Sequence, residues 1–483
     1  MDKTKSLVSI FKKHFNIEVE KIAALPRSGS YREYYRLRGQ GKTAIGVYNH
    51  DRKENKAFLS FTRHFLSKGL LVPKVYEENL DENVYLLEDL GDTSLFSFLN
   101  NHRDNDDFPP SAIELYKNVL EQLPAFQIKG DEGLNYSVCY PRERFDKQSM
   151  MWDLNYFKYY FLKLAKVPFD EQELEDDFET FSDWLLSEDS DYFLYRDFQS
   201  RNIMVHSGEP YFIDYQGGRK GALQYDVASL LFDAKADIPP SIREELLDHY
   251  LHHLRSHTSV DEKKFRDFYA GFALIRLMQA MGAFGFRGFY EKKPHFLASI
   301  PYAITNLSYI LEHSELPVKI PHLISVLGSL QNSPELKQFG DTRIINDKLV
   351  VEINSFSYRR GIPIDQSENG GGFVFDCRAI HNPGRYQEYK DLTGNDKAVI
   401  SFLKTQSQAD QFVQNTFNLV RQSIDVYLKR NFNNLMVNFG CTGGQHRSVY
   451  CANKMRSLLV NEFGASIDIF VHHREQELKE LGL

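Results

Sequence analysis

The chain lacks what a disulfide-braced, zinc-knotted or membrane-spanning protein would need. It has only four cysteines, Cys139, Cys377, Cys441 and Cys451. They are scattered without metal-ligand spacing, which points to free thiols in a reducing compartment. No long hydrophobic run is present. The longest apolar region, Gly271 to Phe286, is broken by Arg276 and Gln279 and is too short and polar to cross a bilayer. The opening residues, Met1-Asp2-Lys3-Thr4-Lys5-Ser6, lead into an amphipathic helical pattern rather than the apolar stretch of a signal peptide. A net charge of −8 excludes a broad electrostatic footprint for nucleic acid or an anionic membrane, though not a local basic patch. No internal repeat is evident. A cytoplasmic location and no membrane partner are expected. What is present, 42% hydrophobic and 14% aromatic residues over 483 positions, supports substantial cores and roughly two or three domains.

The densest chemistry lies in Tyr195-Arg196-Asp197-Phe198-Gln199-Ser200-Arg201-Asn202, followed by Phe212-Ile213-Asp214-Tyr215. Phosphoryl transfer to an alcohol needs a carboxylate to orient the hydroxyl and take its proton, and ligands that hold Mg²⁺ on the phosphates. Asp197 suits the first role; Asn202 and Asp214 suit the second. The Asp197–Asn202 spacing is that of a kinase catalytic loop, and the apolar run before Asp214 reads as a short strand delivering it. Taken singly, each is also an ordinary surface residue; the order and the intervening strand carry the reading.

The organisation agrees. Strand patterns at Tyr34–Leu37, Thr43–Tyr48 and Asn83–Leu90, with helical spacing from Asn55 to Leu66, have the order of a kinase small lobe. From Ser111 to about Leu330 the pattern is mostly helical, apart from the strands around the catalytic loop. The polar stretch Gln331-Asn332-Ser333-Pro334 reads as a linker, after which strands return at Leu349–Asn354 and Gly372–Phe375, with a helix over Ala409–Leu428. The expected fold is α/β (α+β): a small lobe over 1–90, a helical large lobe over 91–330, a linker over 331–346 and a separate α/β domain over 347–483. The turn Ser28-Gly29-Ser30 could cover ATP phosphates with backbone amides, or be an ordinary turn. The strand ending Val47-Tyr48-Asn49-His50 carries no Lys where a kinase places one, while Glu54 stands where the partner carboxylate belongs.

The span from about Pro26 to Tyr309 resembles the aminoglycoside phosphotransferase-like kinases. Its likeness is to bacterial anomeric kinases of N-acetylmuramate and N-acetylglucosamine, which also lack the strand Lys. Three segments carry it: Val84-Tyr85-Leu86-Leu87-Glu88-Asp89-Leu90-Gly91, the catalytic segment with Tyr215-Gln216, and Arg276 through Pro301. The resemblance implies Asp197 as the base, Asn202 and Asp214 on Mg²⁺, Glu88, Asp89 and Leu90 at the adenine of ATP, and Asp226 bracing the catalytic loop. Asp153 is either an acceptor-side residue for sugar hydroxyls or a helix N-terminal carboxylate. Arg276 is either a substrate contact or half of a structural ion pair.

A second constellation is Gly440-Cys441-Thr442-Gly443-Gly444-Gln445-His446-Arg447-Ser448, between the strand Asn434–Phe439 and a helix from Val449 to Asn461. A strand, a Gly-rich turn and a helix N-terminus form an anion site, to which Arg447, Thr442 and Ser448 add donors. Without a Gly-Lys-Ser/Thr ending it is not a nucleotide P-loop. The Cys441-to-Arg447 spacing is one residue too long for a phosphatase signature. Residues from about Leu349 to Glu475 resemble the C-terminal domain of the RapZ-type RNase adapter. The likeness rests on Phe356-Ser357-Tyr358-Arg359-Arg360-Gly361-Ile362-Pro363, Phe375-Asp376-Cys377-Arg378, Asn382-Pro383, Leu392-Thr393-Gly394 and the Gly440–Ser448 loop. It implies a glucosamine-6-phosphate sensor, with Cys441, Thr442, Gly443, Gly444, His446, Arg447 and Ser448 around the phosphosugar. Arg360 stands where the better-known sensors carry His. The acidic, apolar ending Gln476–Leu483 replaces the basic cluster of the RNA-binding adapters, so no RNA or RNase partner is carried over.

The expected enzyme is an ATP-dependent kinase of an amino sugar, with an amino-sugar-phosphate effector and room for a homo-oligomer. Two alternatives stay open: a kinase for choline, an aminoglycoside or another alcohol, and a metabolite-sensing adapter whose kinase half is degenerate.

Overall fold

The computed structural model describes residues 3–25, 32–103, 108–291, 293–333, 336, 349–363, 372–430, 432 and 434–480. Two compact units result: Met1–Tyr290 with Phe296–Gly340, and Asp341–Leu483 with Glu291–His295. The expected linker, 331–346, falls mostly outside the described residues.

The first unit begins with helix α1 (Lys3–Phe15) and strand β1 (Lys21–Ala24). Then come β2 (Glu33–Gly39), β3 (Lys42–Tyr48), helix α2 (Arg52–Ser67), β4 (Val75–Asn79) and β5 (Val84–Leu87). The strands form an antiparallel sheet in the order β1-β2-β3-β5-β4. Side-chain alternation along β5 explains why the sheet is covered twice. Val84 and Leu86 join Leu37 and Ala44 against Leu7, Ile10 and Phe11 of α1. Tyr85 and Leu87 face the other way, with Val47 and with Phe58, Phe61 and Phe65 of α2. The strand expected over Asn83–Leu90 is shorter; it ends at Leu87, and the Glu88 amide then donates to the Lys74 carbonyl at 2.9 Å.

The rest of this unit is helical, with α3 (Leu95–His102), α4 (Pro110–Pro124), α5 (Lys147–Phe157), α6 (Glu171–Leu185), α7 (Leu223–Leu231), α8 (Pro240–Leu254) and α9 (Glu262–Gly285). Two short antiparallel ribbons interrupt it: β6 (Tyr192–Leu194) with β9 (Arg219–Gly221), and β7 (Ile203–His206) with β8 (Glu209–Phe212). The apolar Gly271–Phe286 region is the second half of α9, buried within the lobe from Phe272 to Met278. No described helix is long and apolar enough to cross a membrane.

The second unit is a four-stranded parallel sheet, ordered β11-β12-β10-β13, from β10 (Leu349–Ser357), β11 (Phe373–Asp376), β12 (Asn434–Cys441) and β13 (Ile467–His473). Helices Lys397–Thr405, Ala409–Lys429 and Arg447–Phe463 accompany it. Such a sheet is covered on both faces, and β12 is buried from Leu435 through Cys441. The register sets Ser357 opposite Cys441 and Asp376 opposite Gly440. The carboxyl ends of three strands therefore open on one edge, where ligands of α/β sheets bind.

Candidate active site

The catalytic loop is held from beneath by a carboxylate. Asp226, fully buried on α7, accepts hydrogen bonds from the Tyr195 amide at 2.7 Å and the Arg196 amide at 3.0 Å. This clasp holds Arg196 at φ +81°, a region a non-glycine residue adopts only when its surroundings over-determine it. The Arg196 guanidinium donates to Asp153 Oδ1 at 2.7 Å and to the Tyr225 hydroxyl. Tyr195, fully buried, donates to the Ile213 carbonyl, so the segments that lead into Asp197 and Asp214 are tied together. The expected metal ligands converge: Asn202 Nδ2 donates to the Asp197 carbonyl at 2.9 Å and lies 3.4 Å from Asp214 Oδ2. Asp214 sits at φ +70° just beyond β8, and Gln216 Nε2 donates to its Oδ1 at 2.7 Å. Gln216 Oε1 is buried and has no hydrogen-bond partner among the described residues. The Asp214 carboxylate and the side-chain amides of Asn202 and Gln216 carry the oxygen donors that a hard divalent cation takes. Burial raises the Asp214 pKa and the nearby Asp197 charge adds to this, while Arg32 opposes both.

Arg32 is the functional residue that motif reading missed. Its side chain is 2% exposed, with Nη2 2.8 Å from Glu54 Oε1 and Nη1 3.2 Å from Asp214 Oδ1. A cation therefore does meet the helix carboxylate and the metal-side Asp, but it arrives at the start of β2 rather than on β3. Asn49 Nδ2 fixes the other Glu54 oxygen at 2.7 Å, and Asp51 caps α2 by accepting from the Lys53 and Glu54 amides. The signal in the sequence was one Arg among several, two residues after Ser28-Gly29-Ser30. The side of the sheet on which it emerges depends on a β2–β3 register that no motif records.

Of the other nucleotide-side residues, Ser28, Gly29 and Ser30 lie outside the described residues. Glu88 turns its carboxylate to the Lys74 amide at 3.2 Å, and Asp89 is bound by Arg36 at 2.8 Å. Leu90 is buried, and its carbonyl lies 3.2 Å from His206 Nδ1. The side chains of Glu88 and Asp89 thus bond to the protein itself. On the acceptor side, Asp153 is the seventh residue of α5, whose N-cap is Asp146. The helix N-terminal reading therefore fails, because Asp153 stands beyond the turn where free amides lie. Its Oδ2 is buried and has no hydrogen-bond partner among the described residues. Arg276 forms no ion pair among the described residues; it donates to Ser229 Oγ at 2.8 Å and Gln279 Oε1 at 2.6 Å.

In the second unit the Gly-rich loop follows β12, as its sequence implies, but most of its side chains face inward. Arg447 is buried, with Nη1 donating to the carbonyls of Arg378 and Ile380 at 2.8 and 3.0 Å. His446 Nε2 lies 2.8 Å from the Tyr389 carbonyl oxygen. Cys441 and Ser448 are buried against each other, Sγ to Oγ 3.2 Å. Thr442 and Gly443 are exposed. Gly444 has φ +65°, and a Cβ there would lie 2.2 Å from Glu475 Cγ, so only glycine fits. The Glu475 carboxylate accepts from the Ser357 amide at 3.2 Å and lies 3.2 Å from Arg360 Nε. An acidic group thus already stands at the mouth of the loop, a neighbour no sequence motif announced.

Comparison with known proteins agrees with both halves. Residues 22–262 match the family described as "Phosphotransferase enzyme family", and residues 349–477 match "RapZ C-terminal domain". The first unit thus carries a phosphotransferase domain of protein-kinase-like fold. The second carries a RapZ-type C-terminal domain built on a parallel sheet. Curated relatives include a "Nucleotide-binding protein" of Dinoroseobacter shibae, 37% identical over 127 residues, covering 26% of this chain and 40% of the relative. Another, from Thermoanaerobacter sp. (strain X514), is 33% identical over 127 residues, covering 26% of this chain and 42% of the relative. The chain spans about two fifths of the length of these relatives. Among solved structures, choline kinase LicA from Streptococcus pneumoniae is 14% identical, covering 65% of this chain and 100% of its own, with a TM-score of 0.43. A Plasmodium vivax ethanolamine kinase is 15% identical, covering 60% and 82%, with a TM-score of 0.44.

Proposed function

We propose that the chain is an ATP-dependent, cytoplasmic kinase of an amino sugar, N-acetylmuramate or N-acetylglucosamine, acting at the anomeric hydroxyl. Its C-terminal domain is proposed to bind an amino-sugar phosphate such as glucosamine-6-phosphate. The observation that carries the kinase reading is the convergence of Asp197, Asn202 and Asp214 with the Glu54–Arg32 pair. In this reading Asp197 orients the acceptor hydroxyl and takes its proton late in the transfer. The anomeric hydroxyl is more acidic than an ordinary alcohol and asks little of the base. Asp214 and Asn202 would hold Mg²⁺, which when bound neutralises charge on the β- and γ-phosphates. Arg32 holds Glu54 and Asp214 in register and stands in for the strand Lys. Asp153 stands on the acceptor side, where its carboxylate would accept from a sugar hydroxyl. In the C-terminal domain the exposed amides of Thr442 and Gly443 receive the phosphate, while His446, Arg447, Cys441 and Ser448 frame the loop.

The sugar is supported by the resemblance along Val84–Gly91 and Arg276–Pro301, and by the union with a domain implied to sense an amino-sugar phosphate. The test is ATP-dependent phosphorylation of N-acetylglucosamine, N-acetylmuramate, glucosamine and choline, with the product position read by phosphorus NMR. An anomeric phosphate, reduced about 10²–10⁴-fold in Asp197→Asn, is expected. Turnover only on choline would move the acceptor class. No turnover, with glucosamine-6-phosphate still bound, would leave a sensing adapter.

A further inference from the structure

Away from the catalytic loop, helices α4 and α8 bring three metal-ligating groups together. Glu121 lies near the end of α4; His249 and His253 lie one turn apart on the last half of α8. That i, i+4 spacing puts both imidazoles on one helix face, and their ring centroids are 4.7 Å apart. Both point Nε2 at the same carboxylate oxygen, Glu121 Oε1, at 3.0 and 3.5 Å. One ligand atom from each residue lies within 4.8 Å of the others. Zinc bonds of about 2.0–2.1 Å in tetrahedral geometry set neighbouring donor atoms about 3.3 Å apart, which is the spacing the two nitrogens already keep from the oxygen.

We propose that Glu121, His249 and His253 form a zinc-class transition-metal site that staples α4 to α8, with its fourth position open to water. Two imidazoles and one carboxylate select Zn²⁺, Co²⁺ or Ni²⁺ over Mg²⁺ and Ca²⁺, which take oxygen donors. The three side chains are 23–39% exposed, which leaves a path for the ion. The staple bears on the frame of the catalytic loop. Tyr250, beside His249, donates to Gln127 Oε1 at 2.6 Å in the turn that continues α4. Gln127 in turn donates to the carbonyl of Leu223 at 2.9 Å, the first residue of the helix that carries Asp226.

The test uses untagged, chelator-stripped full-length protein in excess Mg²⁺, titrated with Zn²⁺ by calorimetry and with Co²⁺ by absorption. One equivalent of Co²⁺ should give tetrahedral d–d bands without thiolate charge transfer, and Zn²⁺ should raise Tm. In His249→Ala/His253→Ala, affinity should fall more than about 100-fold, beyond the loss typical of outer-shell changes, and the Tm rise should vanish. Glu121→Gln, which keeps the His pair, should weaken binding by a smaller factor. Equal Tm of the wild type and both variants without metal would establish that they fold; whichever variant folds decides the question. The proposal is overturned by unchanged Zn²⁺ affinity in a folded variant, by no binding to the wild type, or by a thiolate band tracing the metal to the cysteines.

Discussion

At the scale of the residue, charge placement decides what the site can do. Arg32 holds two carboxylates with two different nitrogens, a geometry a planar guanidinium supports and a single ammonium does not. Arg32→Ala should therefore cost about 3 kcal/mol of stability, the low end for a buried ion because Glu54 and Asp214 both reach solvent. It should also lower kcat/KM about 10²–10³-fold, because Asp214, already raised by burial, loses the cation that opposes that rise. Arg32→Lys should recover the stability better than the rate. Denaturant unfolding beside steady-state kinetics checks both; a Lys variant of full activity would show that the bridge to both carboxylates is dispensable.

Asp226 gives a pH signature. Burial lifts its pKa from 3.8 to about 7, against the two backbone amides that hold it down. The folded state thus keeps a proton that the unfolded chain releases, so its stabilising contribution is full below 3.8 and is lost as pH rises towards about 7. Asp226→Asn cannot titrate, and its amide can accept only one of the two backbone hydrogen bonds. The variant should be less stable overall but should lose less stability than the wild type across that window, by up to about 1.4 kcal/mol per pH unit. Asp214 contributes a slope of the same sign and is present in both proteins, so the difference between the two profiles isolates Asp226. Parallel profiles would contradict the buried, protonated carboxyl.

At the scale of the element, α2 links a helix cap to the site. Asp51 accepts from the Lys53 and Glu54 amides, and Glu54 then holds Arg32 and Asn49. Asp51→Ala should cost about 1 kcal/mol and, by fraying the first turn, raise the KM for ATP more than it lowers kcat. Equal effects on both would place the loss elsewhere. The same element shows what the sequence could reveal. Helical spacing marked Asn55–Leu66, and the fixed Asp197–Asn202 interval marked the catalytic loop, because both are local. The role of Arg32 was not legible, since it depends on strand register across β2 and β3 and on a contact 182 residues away. A helix-start Arg reads as a phosphate donor; β11 ends close enough for Arg447 Nη1 to donate to the Arg378 and Ile380 carbonyls, while its buried Nε has no hydrogen-bond partner among the described residues. Glu475 at the mouth of the Gly-rich loop is likewise a consequence of β13 lying beside β10.

At the scale of the whole molecule, the hydrophobic clusters divide with the chain. Those around Phe58 and Tyr225, and around Leu7 and Phe11, draw only on residues up to Leu336, whereas that around Val437 and Met455 begins at Leu349. Units whose cores are separate among the described residues are expected to unfold as separate cooperative blocks. Calorimetry of the full chain should therefore show two transitions. A ligand at one hundred times its Kd adds about 2.7 kcal/mol to the unit that binds it and nothing to the other. MgATP should move only the transition lowered by Arg32→Ala, and glucosamine-6-phosphate only the one lowered by Gly444→Ala. For equal binding energy the shift in Tm should be smaller in the N-terminal unit, because the entropy of unfolding grows with the number of residues released. One transition that moved with both ligands would mean that the units share their stability, and the C-terminal ligand would then act on the kinase through the fold itself.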